Sequence, residues 1–274
     1  MTLNISWIRK VNETSELVVL SDSRLSCGQA WDANPKILLL PRTDAVLAFA
    51  GDTDDAYPLM IQAYNSIKMH EPARIRTMDL PDLKGHLVRI FNHSREFISK
   101  LPSGESSPNN PSVAFLLCGY SWRLKQFKIW KLHFDDNIKQ FTFRPSTFWK
   151  GQNSNKTKLA AFAGDNEVVE EAKRRLIKLL RKKGKLESGN FNMEPFEVMR
   201  DLLRENKFPC IGGAIQMVKI YEHSNVMPIG VYWPDKDSGK ISFMGRPLMD
   251  FERTPWNIID PDAPNHTFPM PPTS

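Results

Sequence analysis

The order of strand-like and helix-like segments is the feature that most constrains the fold of this chain. Apolar residues at alternating or consecutive positions predict strands, and apolar residues repeated every three to four positions predict helices. The predicted strands are 3–9, 16–21, 36–41, 45–51, 112–120, 126–134, 138–145, 214–222 and 226–233, with a short additional strand at 241–245. The predicted helices begin after Asp52 and Thr53, run over 83–101 and 167–183, and begin at Pro195.

The resulting order of strands, two helices, strands, two helices and strands predicts an α+β fold. Continuous apolar strands fit sheets that are buried on both faces. Antiparallel sheets stacked face to face, with helices on both outer sides, satisfy this requirement, so we expect a four-layer αββα sandwich. The 274 residues, 41% of them hydrophobic, are enough to bury such a core. We assign it to residues 1–253, and we expect residues 254–274, with six prolines, to be a tail partly ordered by packing.

The charge of the chain permits several kinds of partner. The net charge is +6 and the isoelectric point is about 9.2, which allows nucleic acid or acidic partners without requiring them. The basic stretch "KRRLIKLLRKKGK" at 173–185 is typical of a solvated helix face, and it is also compatible with binding of nucleic acid or an acidic partner. Because nucleic-acid-binding motifs and interleaved aromatic residues are missing around it, we expect no nucleic acid partner.

Cysteine, histidine and hydropathy patterns bear on cofactors and location. Cys27, Cys118 and Cys210 are far apart and form no CxxC pair, which is typical of a reducing compartment. The six histidines show no metal-ligand spacing, so we expect neither a metal nor another cofactor. The first residues form no apolar signal segment, and no apolar run reaches the roughly 18 residues that cross a membrane. The prediction is a cytoplasmic protein without a membrane partner.

The stretch "LVVLSDSRLSCG" at 17–28 places several polar side chains directly after a buried strand. Asp and Ser are ordinary turn formers there, because their side chains bond to nearby backbone groups. A chemical interpretation starts from Thr2, which removal of Met1 would leave at the N-terminus with a free α-amine of pKa about 7.7–8.0 as its own general base. Its hydroxyl would need a cation, an acid to hold that cation, and a backbone N–H for the oxyanion. Asp22, Lys36 and Gly51 lie at or near the ends of early predicted strands.

The segments "TLNIS", "VVLSDSRLSCG", "PKILLL" and "AVLAFAGDTDDAY" resemble, in this order, the front half of the proteasome β-type family of N-terminal nucleophile (Ntn) hydrolases. They are most similar to bacterial proteasome-like peptidase subunits. The later segments "AFAGDNEVVEEAKRRL" and "CIGGAIQMVKI" resemble the family's "GSG" turn before a helix and its "SGG" before a strand, so the resemblance covers roughly residues 2–232.

The resemblance implies a threonine-type peptidase that needs no cofactor and acts on a peptide or protein substrate. Thr2 would be the nucleophile, Asp22 would hold Lys36, and the N–H of Gly51 would serve the oxyanion. The remaining implied roles are a brace for the turn (Arg24), a backbone contact to the substrate (Ser26) and a side-chain pocket (Phe49 and Thr53). Phe49 as a plain core residue and Arg24 as a surface ion pair remain open alternatives.

The family also implies a homo-oligomer, ring-shaped in its members, with an unfoldase or regulatory partner. Two positions depart from the family pattern: Phe208 stands where the family has Asp, and Ile211 stands where it has Ser. The "GSG" serine also has no counterpart in "FAGDN". A catalytically inactive scaffold or assembly protein is therefore the alternative function.

Overall fold

The structure is a computed structural model that describes residues 2–26, 28–101, 108–146, 158–187 and 190–271. The strands are β1 (Leu3–Val11), β2 (Thr14–Ser21), β3 (Leu25–Ser26), β4 (Ala30–Trp31), β5 (Ile37–Leu39), β6 (Ala45–Gly51), β7 (Val113–Ser121), β8 (Gln126–Asp135), β9 (Gln140–Pro145), β10 (Ala160–Gly164), β11 (Gln216–Tyr221), β12 (Val226–Tyr232), β13 (Ile241–Phe243), β14 (Arg246–Pro247), β15 (Ile258–Ile259) and β16 (Thr267–Phe268). The helices are α1 (Thr53–Met69), α2 (Glu71–Arg74), α3 (Leu80–Arg95), α4 (Asn166–Lys182) and α5 (Glu194–Glu205). The prediction of an α+β chain with antiparallel sheets is confirmed.

The first of two large sheets contains five antiparallel strands in the order β5-β6-β7-β8-β9. Strands that follow one another along the chain are neighbours in this sheet, and the connection from β6 to β7 contains α1, α2 and α3. One of its faces carries apolar side chains such as Leu47, Phe49 and Phe115, which pack in one cluster with residues of α1, α2 and α3. The helices contribute because apolar positions recur on one face of each, for example Leu83, Leu87 and Phe91 on α3.

The second large sheet has the main strand order β10-β1-β2-β11-β12-β13-β14. Its central strands come from both ends of the chain, because β2 pairs antiparallel with β11. Leu3, Ile5 and Trp7 of β1 point to a face that packs against α4 and α5. In the tail segment, Ile258 and Ile259 are buried and pair in parallel with β12, so this part of 254–274 adds a strand to the sheet.

A third cluster of buried side chains contains residues of both sheets and joins them face to face. It includes Leu17 and Val19 of β2, Val46 and Ala48 of β6, and Val218 of β11. Both sheets are therefore apolar on both faces, as their continuous hydrophobic runs predicted. Among the described residues, no helix is long and apolar enough to cross a membrane.

Several details of the sequence-based assignment differ from the structure. The helix predicted at 83–101 begins earlier and ends at Arg95, and Phe97 and Ile98, expected on its buried face, are 73% and 45% exposed. Apolar residues recur beyond the end of the helix, but Phe97 and Ile98 do not join the buried core. The edge strand β10, with the sequence AAFAG, was not predicted, because this segment was interpreted as the turn before the following helix; its pairing with β1 makes it a strand.

Candidate active site

Thr2, Asp22 and Lys36 meet at one end of the two sheets. Thr2 directly precedes β1 and Asp22 directly follows β2, and the register of these strands sets Asn4 opposite Ser21. The Asp22 N–H donates to the Leu3 carbonyl at 3.3 Å, and the Leu3 N–H donates to Asp22 Oδ1 at 3.0 Å. Lys36 directly precedes β5 of the other sheet, so the cluster joins the two sheets.

The Lys36 ammonium contacts both other residues. Its Nζ lies 2.9 Å from Thr2 Oγ1 and 3.0 and 3.1 Å from the two carboxylate oxygens of Asp22. All three residues are buried. Burial lowers the pKa of Lys36, and the Asp22 carboxylate opposes that effect. A buried ammonium is therefore held by one carboxylate and points at one hydroxyl, which is an arrangement suited to polarising that hydroxyl.

Backbone donors complete the environment of Asp22. Its Oδ2 accepts hydrogen bonds from the N–H groups of Arg24 at 3.1 Å and Gly212 at 3.2 Å. Together with the Leu3 N–H, three backbone donors stabilise the charged form of the carboxylate. The strand–turn sequence "SDSR" therefore places Asp22 where it accepts from β1, from its own turn and from the segment before β11.

Gln216 holds the Lys36 backbone in place, and sequence analysis did not identify it. Its side-chain oxygen accepts from the Lys36 N–H at 2.9 Å, and its nitrogen donates to the carbonyls of Asp22 at 3.0 Å and Asn34 at 2.8 Å. Gln216 is fully buried. The Gln216 amide thus links the segments that carry Asp22 and Lys36. Sequence analysis did not identify it, because a single Gln in a largely apolar strand does not indicate a functional residue.

Strand alternation directs Thr2 toward the space between the sheets. Leu3, Ile5 and Trp7 face α4 and α5, so Thr2, Asn4 and Ser6 point to the opposite side. Asn4 confirms this orientation, because its side-chain nitrogen donates to the Phe49 carbonyl of β6 at 2.7 Å. The contact fixes the Thr2 end of β1 against the end of β6.

Gly51, the last residue of β6, has a backbone that suits an oxyanion donor. The Asp52 N–H donates to the Ser112 carbonyl at 2.9 Å, so the neighbouring pair Gly51–Val113 is a non-hydrogen-bonded pair of the ladder. The Gly51 N–H therefore points away from β7, to the side where Lys36 precedes β5. Its φ of +122° and a Cβ position 2.0 Å from the Ser112 carbonyl oxygen allow only glycine.

A cleft of about 600 Å³ contains both Thr2 and Gly51. It is bordered by the end of β6, the start of β7, strands β8 and β9, and the junction of β10 with α4. Its lining residues are Thr2, Ala50, Gly51, Asp52, Ser112, Val113, Ala114, Lys131, His133, Asp136, Arg144, Gly164, Asp165 and Asn166. The hydroxyl held by Lys36 is thus next to a space that a substrate can enter.

The other predicted site residues lie around this cluster without lining the cleft. The Arg24 guanidinium makes a bidentate ion pair with Asp32 at 2.6 and 2.8 Å, which raises the pKa of Arg24 and lowers that of Asp32. Ser26 is exposed in the short β3–β4 ribbon. Phe49 is fully buried, with its ring 5.3 Å from that of Tyr57, and Thr53 begins α1 half-buried. The roles of Ser26, Phe49 and Thr53 in substrate binding stay predictions.

Phe208 and Ile211 are buried in the apolar cluster with α4 and α5. The positions where the resembled family has Asp and Ser therefore belong to the core here. A carboxylate from another element lies nearby instead: the Asp165 N–H donates to the Thr2 carbonyl at 3.2 Å, and Asp165 Oδ2 is buried without a hydrogen-bond partner among the described residues. Sequence analysis gave Asp165 no role: it lies in "FAGDN", where the family's "GSG" serine has no counterpart.

Comparisons with known proteins add no relative to this description. No family model matches the chain, and no curated protein matches its sequence. Among the described residues, no group of three or more His, Cys, Asp or Glu side chains could hold a metal ion. Met1 and Cys27 lie outside the described residues. The function therefore has to be argued from the geometry of Thr2 and its neighbours.

Proposed function

We propose that this chain is an N-terminal threonine hydrolase that cleaves peptide bonds, with Thr2 as the nucleophile after removal of Met1. One observation carries the proposal: the buried Lys36 ammonium lies between Thr2 Oγ1 at 2.9 Å and the Asp22 carboxylate at 3.0 Å. Burying a charged lysine is costly. A purely structural ion pair would not need its ammonium directed at a hydroxyl beside an open cleft.

In the proposed reaction, Thr2 Oγ attacks the carbonyl carbon of the scissile peptide bond. The α-amine of Thr2 takes the hydroxyl proton, and the Lys36 ammonium stabilises the oxygen as it loses that proton. The carbonyl oxygen becomes an oxyanion near the Gly51 N–H. When the C–N bond breaks, the proton passes to the leaving amine, and the acyl group remains on Thr2 as an ester. Water then hydrolyses this ester and restores the hydroxyl.

Asp165 takes the place of the missing family Asp and Ser in this proposal. The α-amine of an N-terminal Thr2 would carry a positive charge in part of its population, and a buried charge needs a partner. The Asp165 carboxylate lies beside Thr2 and has a buried oxygen without a partner among the described residues. We assign it the role of orienting the amine, which the core residues Phe208 and Ile211 cannot perform.

The proposed fold is the four-layer αββα sandwich of the Ntn hydrolases. Its support is the set of three apolar clusters, one on each outer sheet face with helices and one between the sheets. We further propose a homo-oligomer that acts in the cytoplasm, with an unfoldase or regulatory partner. Exposed apolar side chains on and after the helices of the five-stranded sheet support assembly; they are Ile61, Met69, Ile75, Phe97 and Ile98.

An inactive scaffold is the second candidate function. The observation that favours it is the burial of Phe208 and Ile211, which removes the polar support that the family places near the nucleophile. This alternative predicts that Met1 is retained and that changing Thr2, Asp22 or Lys36 alters stability only.

The experiment that separates these functions combines mass spectrometry with matched variants. Intact-mass measurement of the native protein should show a chain that starts at Thr2, and a covalent inhibitor of N-terminal threonines should add its mass to the peptide that begins there. Turnover of a fluorogenic peptide library should be abolished in Thr2→Ala and partly kept in Thr2→Ser. Lys36→Ala should lower kcat/KM by about 10²-fold or more, since it removes the cation at the nucleophile.

Thr14→Ala is the matched control, because Thr14 is exposed in β2 of the same sheet. It should cleave the library as the wild type does, and thermal unfolding should show that every variant is folded. A protein that keeps Met1, binds no inhibitor and cleaves no peptide would establish the scaffold alternative. Turnover that survives in folded Thr2→Ala would exclude Thr2 as the nucleophile.

A further inference from the structure

The wall of the cleft that lies on β8 and β9 carries three basic side chains on one face. Lys131 and His133 are two residues apart on β8, and Arg144 of β9 is the direct cross-strand neighbour of Lys131. Leu116, opposite Lys131 on β7, belongs to the apolar cluster between the sheets. Side chains of direct cross-strand neighbours share one sheet face. The three basic groups therefore extend the inter-sheet face to the open end where Thr2 lies.

Lys131 and Arg144 are like charges directly opposite each other, and none of the three basic groups has an ion-pair partner within the described part of the chain. Like charges directly opposite each other in a sheet are destabilising. The pKa of Lys131 is lowered mainly by burial, with further contributions from the charges of Arg144 and Lys173. The pKa of His133 is also lowered, mainly by burial, although the Lys131 carbonyl and Asp135 oppose the shift. Without an anion, Lys131 and the exposed Arg144 face each other as a like-charge pair that no carboxylate of the described residues neutralises.

The carboxylates of the cleft do not neutralise this wall. Asp136 accepts a hydrogen bond from the Asn110 side chain at 2.7 Å, and Asp165 lies at the Thr2 end with its N–H on the Thr2 carbonyl. Asp52 precedes α1 at the end of β6 and is exposed. None of the three is within 4 Å of a basic group of the wall, so the cleft has one cationic side and a nucleophile on another.

We propose that this wall binds a carboxylate side chain of the substrate, through Lys131, Arg144 and His133. The proposal rests on the peptidase function and deepens it by naming the substrate class: a peptide segment with Asp or Glu that lies in the cleft while its scissile bond reaches Thr2. A guanidinium and an ammonium side by side offer a carboxylate charge-assisted hydrogen bonds. Bound, the carboxylate would relieve the repulsion between Lys131 and Arg144, so binding and stabilisation would be coupled.

The test measures binding separately from cleavage by using the Thr2→Ala protein, which keeps the wall and lacks the nucleophile. The probes are fluorescein-labelled decapeptides of Ala, Ser, Gly and Leu, in which a single Glu is moved along the chain, each with a matched peptide that has Gln instead. Fluorescence anisotropy should give a Kd at least about tenfold lower for the best Glu peptide than for its Gln partner, the scale of a charge-assisted hydrogen bond. The preference should decrease as salt is added.

Lys131→Gln combined with Arg144→Gln should abolish this preference, and Lys131→Gln alone should reduce it. Lys128→Gln is the matched control, because Lys128 is on the same strand and does not line the cleft. The double variant should unfold at the same or a higher temperature, since it removes a like-charge pair. A loss of binding together with this result cannot be attributed to unfolding.

Equal affinity for Glu and Gln peptides would overturn the proposal, as would a Glu preference that persists in the folded double variant. Failure of every peptide to bind the folded Thr2→Ala protein would also overturn it. The peptidase function is judged separately by cleavage in the wild type. If the protein binds Glu peptides selectively but cleaves none, the carboxylate site stands and the peptidase function is rejected. If it cleaves peptides without a preference for Glu, the peptidase function stands and the carboxylate site is rejected.

Discussion

Replacing Asp22 with Asn is the most informative single change, because it removes one charge and keeps the shape of a fully buried side chain. The two carboxylate oxygens accept five contacts: the Leu3 N–H and Lys36 Nζ on Oδ1, and Arg24 N–H, Gly212 N–H and Lys36 Nζ on Oδ2. The amide NH₂ of Asn can only donate. Whether the Asn NH₂ takes the position of Oδ1 or of Oδ2, it faces at least one backbone N–H and the Lys36 ammonium.

The expected loss of stability follows from these contacts. A buried donor without an acceptor costs ~1–3 kcal/mol. Leaving one member of a buried ion pair unpaired costs ~3–5 kcal/mol, and this larger effect includes the first. We therefore expect Asp22→Asn to lower the free energy of unfolding by ~3–5 kcal/mol, a large fraction of the ~5–15 kcal/mol typical of a domain.

Lys36→Met should cost less than Asp22→Asn. It removes the ammonium and its burial penalty, and Asp22 keeps three backbone N–H donors that stabilise its charge. We expect a loss of ~1–3 kcal/mol for Lys36→Met. In that background Asp22→Asn should cost only the ~1–3 kcal/mol of its unsatisfied backbone donor, so the two changes should be coupled by about 2 kcal/mol, the difference between the two costs.

Urea unfolding at pH 7, followed by tryptophan fluorescence, measures all four members of this double-mutant cycle. Asp237→Asn is the matched control, because Asp237 is exposed and makes no ion pair among the described residues; its effect should stay within ~0.5 kcal/mol. The reasoning is refuted if Asp22→Asn changes stability as little as the control does. It is equally refuted if Asp22→Asn costs the same with and without Lys36, because the ammonium would then not be the cause.

Two further perturbations test the backbone and the pH dependence. Gly51→Ala should lower the Tm measured by circular dichroism, because φ is +122° and the new Cβ would meet the Ser112 carbonyl oxygen at 2.0 Å; an unchanged Tm would show that the end of β6 relaxes easily. Burial, His70 and Arg89 lower the pKa of His86, so below pH ~6.5 the unfolded chain binds a proton that the folded chain resists, and stability should fall as the pH decreases through that window. His86→Gln should flatten the dependence of Tm on pH between 7 and 5, and an unaltered slope would exclude His86 as its source.

The sequence by itself determined most of the secondary structure, because the periodicity of apolar residues is a local property. Strand β6 lies where its pattern predicted, and β7 and β8 differ from their predicted ranges by one residue at each end or less. The same reasoning failed where tertiary contacts decide. Apolar residues beyond Arg95 have no core to join, and β10 exists through its pairing with β1. Periodicity states which side of an element is apolar, and it does not state whether another element covers that side.

The residues of the candidate site also fall into those that the sequence predicted and those that only the structure shows. The sequence predicted Thr2, Asp22, Lys36 and Gly51 as a set, since each is at or near the end of an early strand. Only the tertiary structure shows that Gln216 and Gly212 belong to the site, because the pairing of β2 with β11 joins segments about 190 residues apart. It also decided that Lys131 and Arg144 share one wall of the cleft, since that depends on the register of β8 against β9. A shift by one residue would turn these charges to opposite faces, and register is a property of paired strands rather than of either strand alone.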